Sequence, residues 1–167
     1  MKAIVVGLGV QGKKRKKYLG KDYIFSVDKF KSADYKSILD VPLKAYDTVF
    51  LCVPENEKID IIKYCIKNKK HILVEKPLLV KSSKLLIELE KQAKKNKVVL
   101  YTAYNHRFEP NILKLKNLIE KKILGKIYKC KIFYGNGTSH LVKKSKWRDK
   151  EFGVVTDIGS HLLDLCL

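Results

Sequence analysis

Ala3-Ile4-Val5-Val6-Gly7-Leu8-Gly9-Val10-Gln11-Gly12 sends a short apolar run directly into three glycines spaced G-x-G-x-x-G. The run reads as a buried strand, and the residues from the glycines to about Leu19 read as a helix, the context that gives this spacing its meaning. Gly7 permits a tight turn, Gly9 lets the backbone approach a diphosphate, and Gly12 lets helix and strand pack closely. The helix N-terminus adds free N–H groups and the positive end of a dipole. Tyr23 to Val27 alternate into a second strand that ends at Asp28, 21 residues after Gly7. A carboxylate at that point accepts hydrogen bonds from ribose hydroxyls. It also repels a 2′-phosphate, so NAD is favoured over NADP, although Lys29 and Lys31 alongside weaken the preference.

The alternation continues. Thr48–Val53 is an apolar strand stopped by Pro54, and a helix follows over Glu57–Asn68. His71–Val74 is a strand, Ser82 or Ser83 caps a helix to about Asn96, and Val98–Tyr101 is a strand. Strands apolar on both faces, separated by helices, predict an α/β fold: a doubly wound parallel Rossmann sheet over residues 1–105. Beyond it the pattern predicts a helix over Pro110–Ile123 ended by Gly125, a strand over Lys126–Tyr134, a polar loop and a helix from about Asp157. Residues 106–167 thus read as an incomplete α/β (α+β) substrate domain.

Composition removes several alternatives. The formal charge is +19, yet among 36 basic residues only Arg15, Arg107 and Arg148 are arginine. Nucleic-acid readers favour the arginine fork, so lysines spread along nearly every predicted helix and several strand ends read as solvated faces, and no nucleic-acid partner is expected. No apolar run reaches membrane length, and Gln11 and a basic block follow the first strand where a leader would carry a cleavage site. A cytoplasmic protein without a membrane partner is expected. Cys52, Cys65, Cys130 and Cys166 match neither zinc nor thioredoxin spacing, and the first three read as buried free thiols. His71, His106 and His140 lack ligand spacing, so no metal is expected.

Two further clusters carry chemistry. Glu75-Lys76-Pro77 falls at the carboxyl end of a strand, the sheet edge where α/β proteins bind ligands. A lysine there can hydrogen-bond a substrate hydroxyl and favour its alkoxide character during hydride loss; the bland alternative is a solvated lysine. Asp157 and His161 lie four apart, so on a helix they share a face. The imidazole suits a general base and the carboxylate its support; the bland alternative is a helix N-cap with a surface histidine.

With these residues in place the chain resembles the Gfo/Idh/MocA family of NAD(P)-dependent oxidoreductases. The specific signatures are Glu75-Lys76-Pro77 after His71-Ile72-Leu73-Val74, Tyr104-Asn105-His106-Arg107-Phe108 with Pro110, Trp147-Arg148, and Gly153 through Asp157, Gly159 and His161. The resemblance implies hydride transfer between nicotinamide and a carbinol of a sugar, cyclitol or nucleotide sugar. It implies catalytic Lys76, Asp157 and His161, and substrate contacts from these and Arg107. The cofactor set becomes Gly7, Gly9, Val10, Gln11, Gly12, Asp28, Lys29, Cys52, Val53, Pro54, Glu75, Lys76, Asn105, Trp147 and Arg148. The Lys76–Pro77 bond is a candidate for cis. Lys58 departs from the family pattern, which usually has histidine there, and the glycine-rich run before Asp157 is reduced to Glu151-Phe152-Gly153. The resemblance covers about the first half of a typical member. The expected partner besides substrate is therefore a second copy or a complementing C-terminal polypeptide. The alternative is a truncated remnant or half-enzyme that binds NAD(P) with little or no activity alone.

Overall fold

The computed structural model describes residues 1–80, 82–135 and 153–167. The chain divides into two compact units, Met1–Ala103 and Tyr104–Leu167.

The first unit is a five-stranded parallel sheet in the order β2-β1-β3-β4-β5. Its strands are β1 (Ala3–Val6), β2 (Tyr23–Val27), β3 (Thr48–Leu51), β4 (His71–Val74) and β5 (Leu100–Thr102). Helix α1 (Val10–Leu19) joins β1 to β2, α2 (Glu55–Lys67) joins β3 to β4, and α3 (Ser83–Asn96) joins β4 to β5. Side chains alternate across a strand, and β1 uses both faces. Ile4 and Val6 join a core with Val49, Leu51, Ile62, Ile66, Ile72, Val74 and Leu89, under α2 and α3. Ala3 and Val5 face the other way, with Leu8 and Leu19 of the α1 side. Each fully buried aliphatic contributes about 1.5–3 kcal/mol of transfer free energy, so β1, wholly buried, anchors both layers. Ser82 caps α3 by accepting the Lys84 N–H at 3.2 Å.

Strands are added outward from β1 to β2 on one side and from β3 to β5 on the other. The carboxyl ends of β1 and β3 are therefore a topological switch point, the place where open α/β sheets bind ligands. Gly7 follows one of these strands and Cys52 the other.

The second unit holds a 3-10 turn at Asn105–Phe108, helix α4 (Pro110–Glu120), and a helical segment that begins at Gly153. That segment passes through a π turn at Val155–Gly159 into helix α5 (Ser160–Leu165). Two expectations are corrected. The predicted strand over Lys126–Tyr134 does not form, since backbone N–H and C=O groups need a ladder partner and no other strand lies in this unit among the described residues. Cys130, expected to be buried there, is consequently exposed. The four cysteines are free, and only Cys65 is fully buried. No described helix is long and apolar enough to cross a membrane.

Candidate functional site

The glycine turn is built around contacts that only glycine allows. Gly7 has φ +91°, and a Cβ there would lie 2.6 Å from the Cys52 carbonyl oxygen. A Cβ on Gly12 would lie 1.8 Å from the Gly7 carbonyl oxygen. Gly9 differs, because a Cβ there would meet nothing within 4 Å. Gly9 caps α1 with φ −67° and ψ −167°, no side chain caps the helix, and no acidic residue stands in its first turn. The first intrahelical bond runs from the Lys13 N–H to the Gly9 carbonyl at 3.1 Å. The N–H groups of Val10, Gln11 and Gly12 precede it, and the opening N–H groups of a helix have no acceptor within it. Val10 is 73% exposed, and Gln11 is exposed too. Open space over Gly9, orphan donors and a positive helix end fit a diphosphate.

Asp28 closes this turn from β2. Its Oδ2 accepts the Leu8 N–H at 2.6 Å, and its Oδ1 accepts those of Phe30 at 3.0 Å and Lys31 at 2.8 Å. Burial pushes the Asp28 carboxyl up, but these three backbone donors and the nearby Lys31 charge outweigh it and leave the group below its ordinary range. A carboxylate oxygen has two lone-pair sites, so Oδ2 keeps one for a ribose hydroxyl. Lys31 donates through Nζ to the Leu8 carbonyl at 2.7 Å, at the edge of the same turn. Lys29, placed in the cofactor set by resemblance, pairs with Glu57 of α2 at 2.8 Å.

Asp28→Asn should therefore lower stability by about 1 kcal/mol at pH 7, since an amide cannot accept at both ends. A depressed folded pKa means the carboxylate stabilises the fold above the ordinary value near pH 4. That contribution is lost as pH falls through the lower folded value. Urea midpoints for both proteins at pH 7 and near pH 3 check this. The gap should narrow in acid, and an unchanged gap contradicts it.

On the neighbouring strands, Pro54 caps α2. Burial, reinforced by Glu75, pushes the Cys52 thiol up to about 12, against the opposing charges of Arg15 and Lys58. Cys52 stays a neutral thiol in the wall beneath Gly7. Glu75 donates its N–H to the Leu51 carbonyl at 2.8 Å, and its carboxylate receives Arg15 of α1 at 2.6 Å. Lys76 follows at the carboxyl end of β4, and the Lys76–Pro77 bond is cis.

In the second unit Asp157 and His161 are both buried, at 8% and 6% exposed. Asp157 lies inside the π turn and His161 in α5, so neither is the N-cap or surface histidine of the bland alternative. The His161 ring meets Tyr104 edge-on at 5.6 Å and His106 at 4.4 Å between centroids. His106 Nδ1 also pairs with Glu109, and its Nε2 lies 3.2 Å from the Tyr134 hydroxyl. Sequence spacing gives His106 no partner, because a ring contact between residues 55 positions apart leaves no periodic trace. Arg107 forks onto the buried carboxylate of Asp164, with Nε at 2.9 Å from Oδ2, and so ties the 3-10 turn to α5. Asn105 is exposed in that turn. Trp147 and Arg148 lie outside the described residues.

The lysine excess is also more than solvated surface. Lys70 donates to the Leu43 and Tyr46 carbonyls, and Lys58 is 2% exposed.

Residues 1–104 match the model of an oxidoreductase family with an NAD-binding Rossmann fold, and residues 116–167 match its C-terminal alpha/beta domain. A myo-inositol 2-dehydrogenase of Thermotoga maritima is 35% identical over 86 residues, 52% of this chain and 25% of that protein. A scyllo-inositol 2-dehydrogenase (NADP(+)) of Bacillus subtilis is 29% identical over 127 residues, 74% of this chain and 34% of that protein. The chain thus spans about a quarter to a third of the length of these relatives. In fold it is similar to the crystal structure of myo-inositol 2-dehydrogenase from Lactobacillus plantarum. The TM-score is 0.77 at 18% identity, over 99% of this chain and 55% of that one.

Proposed function

The chain belongs to the Gfo/Idh/MocA oxidoreductase family, and on that premise we propose that it transfers a hydride between a nicotinamide cofactor and a carbinol carbon. The cofactor is NAD, with NADP tolerated, and the substrate is a cyclitol, sugar or nucleotide sugar. The observation that carries this reading is the open face of Gly9 at the switch point, ringed by the α1 N–H groups and closed by Asp28. Bound NAD supplies the hydride acceptor. Val10, Gln11 and Gly12 hold the diphosphate, and Asp28 the adenosine ribose. Lys31, beside Asp28, supplies the positive charge that lets a 2′-phosphate be accommodated. Lys76 donates to the substrate hydroxyl and, by its charge, favours the oxygen as it gains alkoxide character. His161 takes the hydroxyl proton and Asp157 supports the resulting imidazolium. Cyclitols are the first class to test, because the two relatives named above are inositol 2-dehydrogenases.

The test is a panel of inositols, free sugars and sugar nucleotides incubated with protein and NAD, read by NADH absorbance. One class should give protein-dependent reduction. Saturable NADH binding with no reduction by any carbinol would remove the hydride-transfer reading and leave the cofactor site standing.

A further inference from the structure

Lys58 lies on the stripe of α2 that carries Ile62, Cys65 and Ile66 into the core. A charge taken out of water is tolerated only when it is paired and fully hydrogen-bonded. Lys58 meets that condition. Its Nζ donates to Glu55 Oε2 at 2.6 Å, to the Glu75 carbonyl at 2.7 Å and to the Pro77 carbonyl. Three donors meet three acceptors. The other oxygen of Glu55 accepts the Leu79 N–H. Lys58 and Glu55 together grip three backbone groups, at 75, 77 and 79, and Lys76 lies between the two carbonyls that the ammonium holds. From α1, Arg15 fixes the Glu75 carboxylate as well.

Packing alone does not call for this arrangement. Apolar groups often replace a buried ion pair without loss of stability. What an apolar side chain cannot do is hold two carbonyls that flank a functional residue.

We infer that Lys58 is a positioning residue that acts through Lys76: its ammonium fixes the Glu75–Leu79 loop so that Lys76 meets the nicotinamide half of the cofactor. This rests on the cofactor reading above for its ligand, and on the Lys58 contacts for its mechanism. ADP carries the adenosine and diphosphate but not the nicotinamide half, so it separates a local effect from a general one.

The experiment titrates wild type, Lys58→Met, Lys76→Ala and the double variant with NADH by nicotinamide fluorescence and with ADP by competition. Exchange of the Leu79 amide is followed alongside. Lys58→Met and Lys76→Ala should each raise the NADH Kd about tenfold with ADP unchanged, and the double variant should add less than about twofold to either. Leu79 exchange should quicken in Lys58→Met, and Lys58→Arg should recover part of the NADH affinity. Equal losses for NADH and ADP, additive effects in the double variant, or an unchanged NADH Kd each overturn the inference. If Lys58→Met does not fold, Glu55→Gln must weaken NADH alone, and failure to do so overturns it too. Wild type that binds neither ligand overturns the cofactor reading, and the inference with it. Normal wild-type binding with an indifferent Lys58→Met overturns only the role of Lys58.

Discussion

Gly12→Ala should lose its fold and its cofactor together, whereas Gly9→Ala should lose the cofactor alone. The added Cβ at position 12 would stand 1.8 Å from the Gly7 carbonyl oxygen, and Gly7 is itself pressed against the Cys52 carbonyl. Neither backbone can retreat without opening the β1–β3 seam, so a destabilisation of about 4 kcal/mol or more is expected. At Gly9 the φ and ψ suit any L-residue and the space is open. Stability should therefore stay within about 0.5 kcal/mol. The methyl would occupy the approach of the diphosphate, and NADH affinity should fall roughly 10- to 100-fold. Urea denaturation and NADH titration of both variants check this. Equal stability losses would show that the three glycines serve packing only.

His161→Ala should lower turnover roughly 10²- to 10⁴-fold, the range a positioned proton-transfer group supplies, while leaving the NADH Kd unchanged. The ring is buried among Tyr104 and His106, not free in solvent, so its replacement by alanine also removes packing. His161→Asn keeps more of that volume and should show the same loss of rate. On the proposed roles Asp157→Asn should lose less, because a carboxylate that supports an imidazolium does not itself take the proton. These rates are measured with the carbinol that the substrate panel identifies. A His161→Asn protein with wild-type kcat would remove the base assignment.

The parts of the fold that were legible from sequence are those governed by local pattern. The glycine spacing, the apolar runs at 3–6, 48–53 and 71–74 and the serine before α3 each encode an element through a few neighbouring residues. The parts that were not legible depend on long-range pairing. The alternation at 126–134 specifies faces, but a strand exists only with a partner. Asp28 was readable as an acid at a strand end, but its grip on the Leu8 N–H was not. Arg107 sits in a recognisable motif, but its fork onto Asp164 spans 57 positions. Lys58 did leave a signal, since a lysine on the apolar stripe of α2 has to be satisfied by something across the helix. The sequence shows a lysine at that position, but the three acceptors that satisfy it become visible only in three dimensions.

Everything proposed for catalysis depends on whether the turn after β1 holds a dinucleotide. Calorimetric titration of the wild-type protein with NADH, repeated with saturating ADP and with Gly9→Ala, tests that directly. One-to-one saturable heat, abolished by ADP and weakened in Gly9→Ala, is the expected result. Absence of saturable heat in the wild type, or full-strength binding by Gly9→Ala, would contradict it.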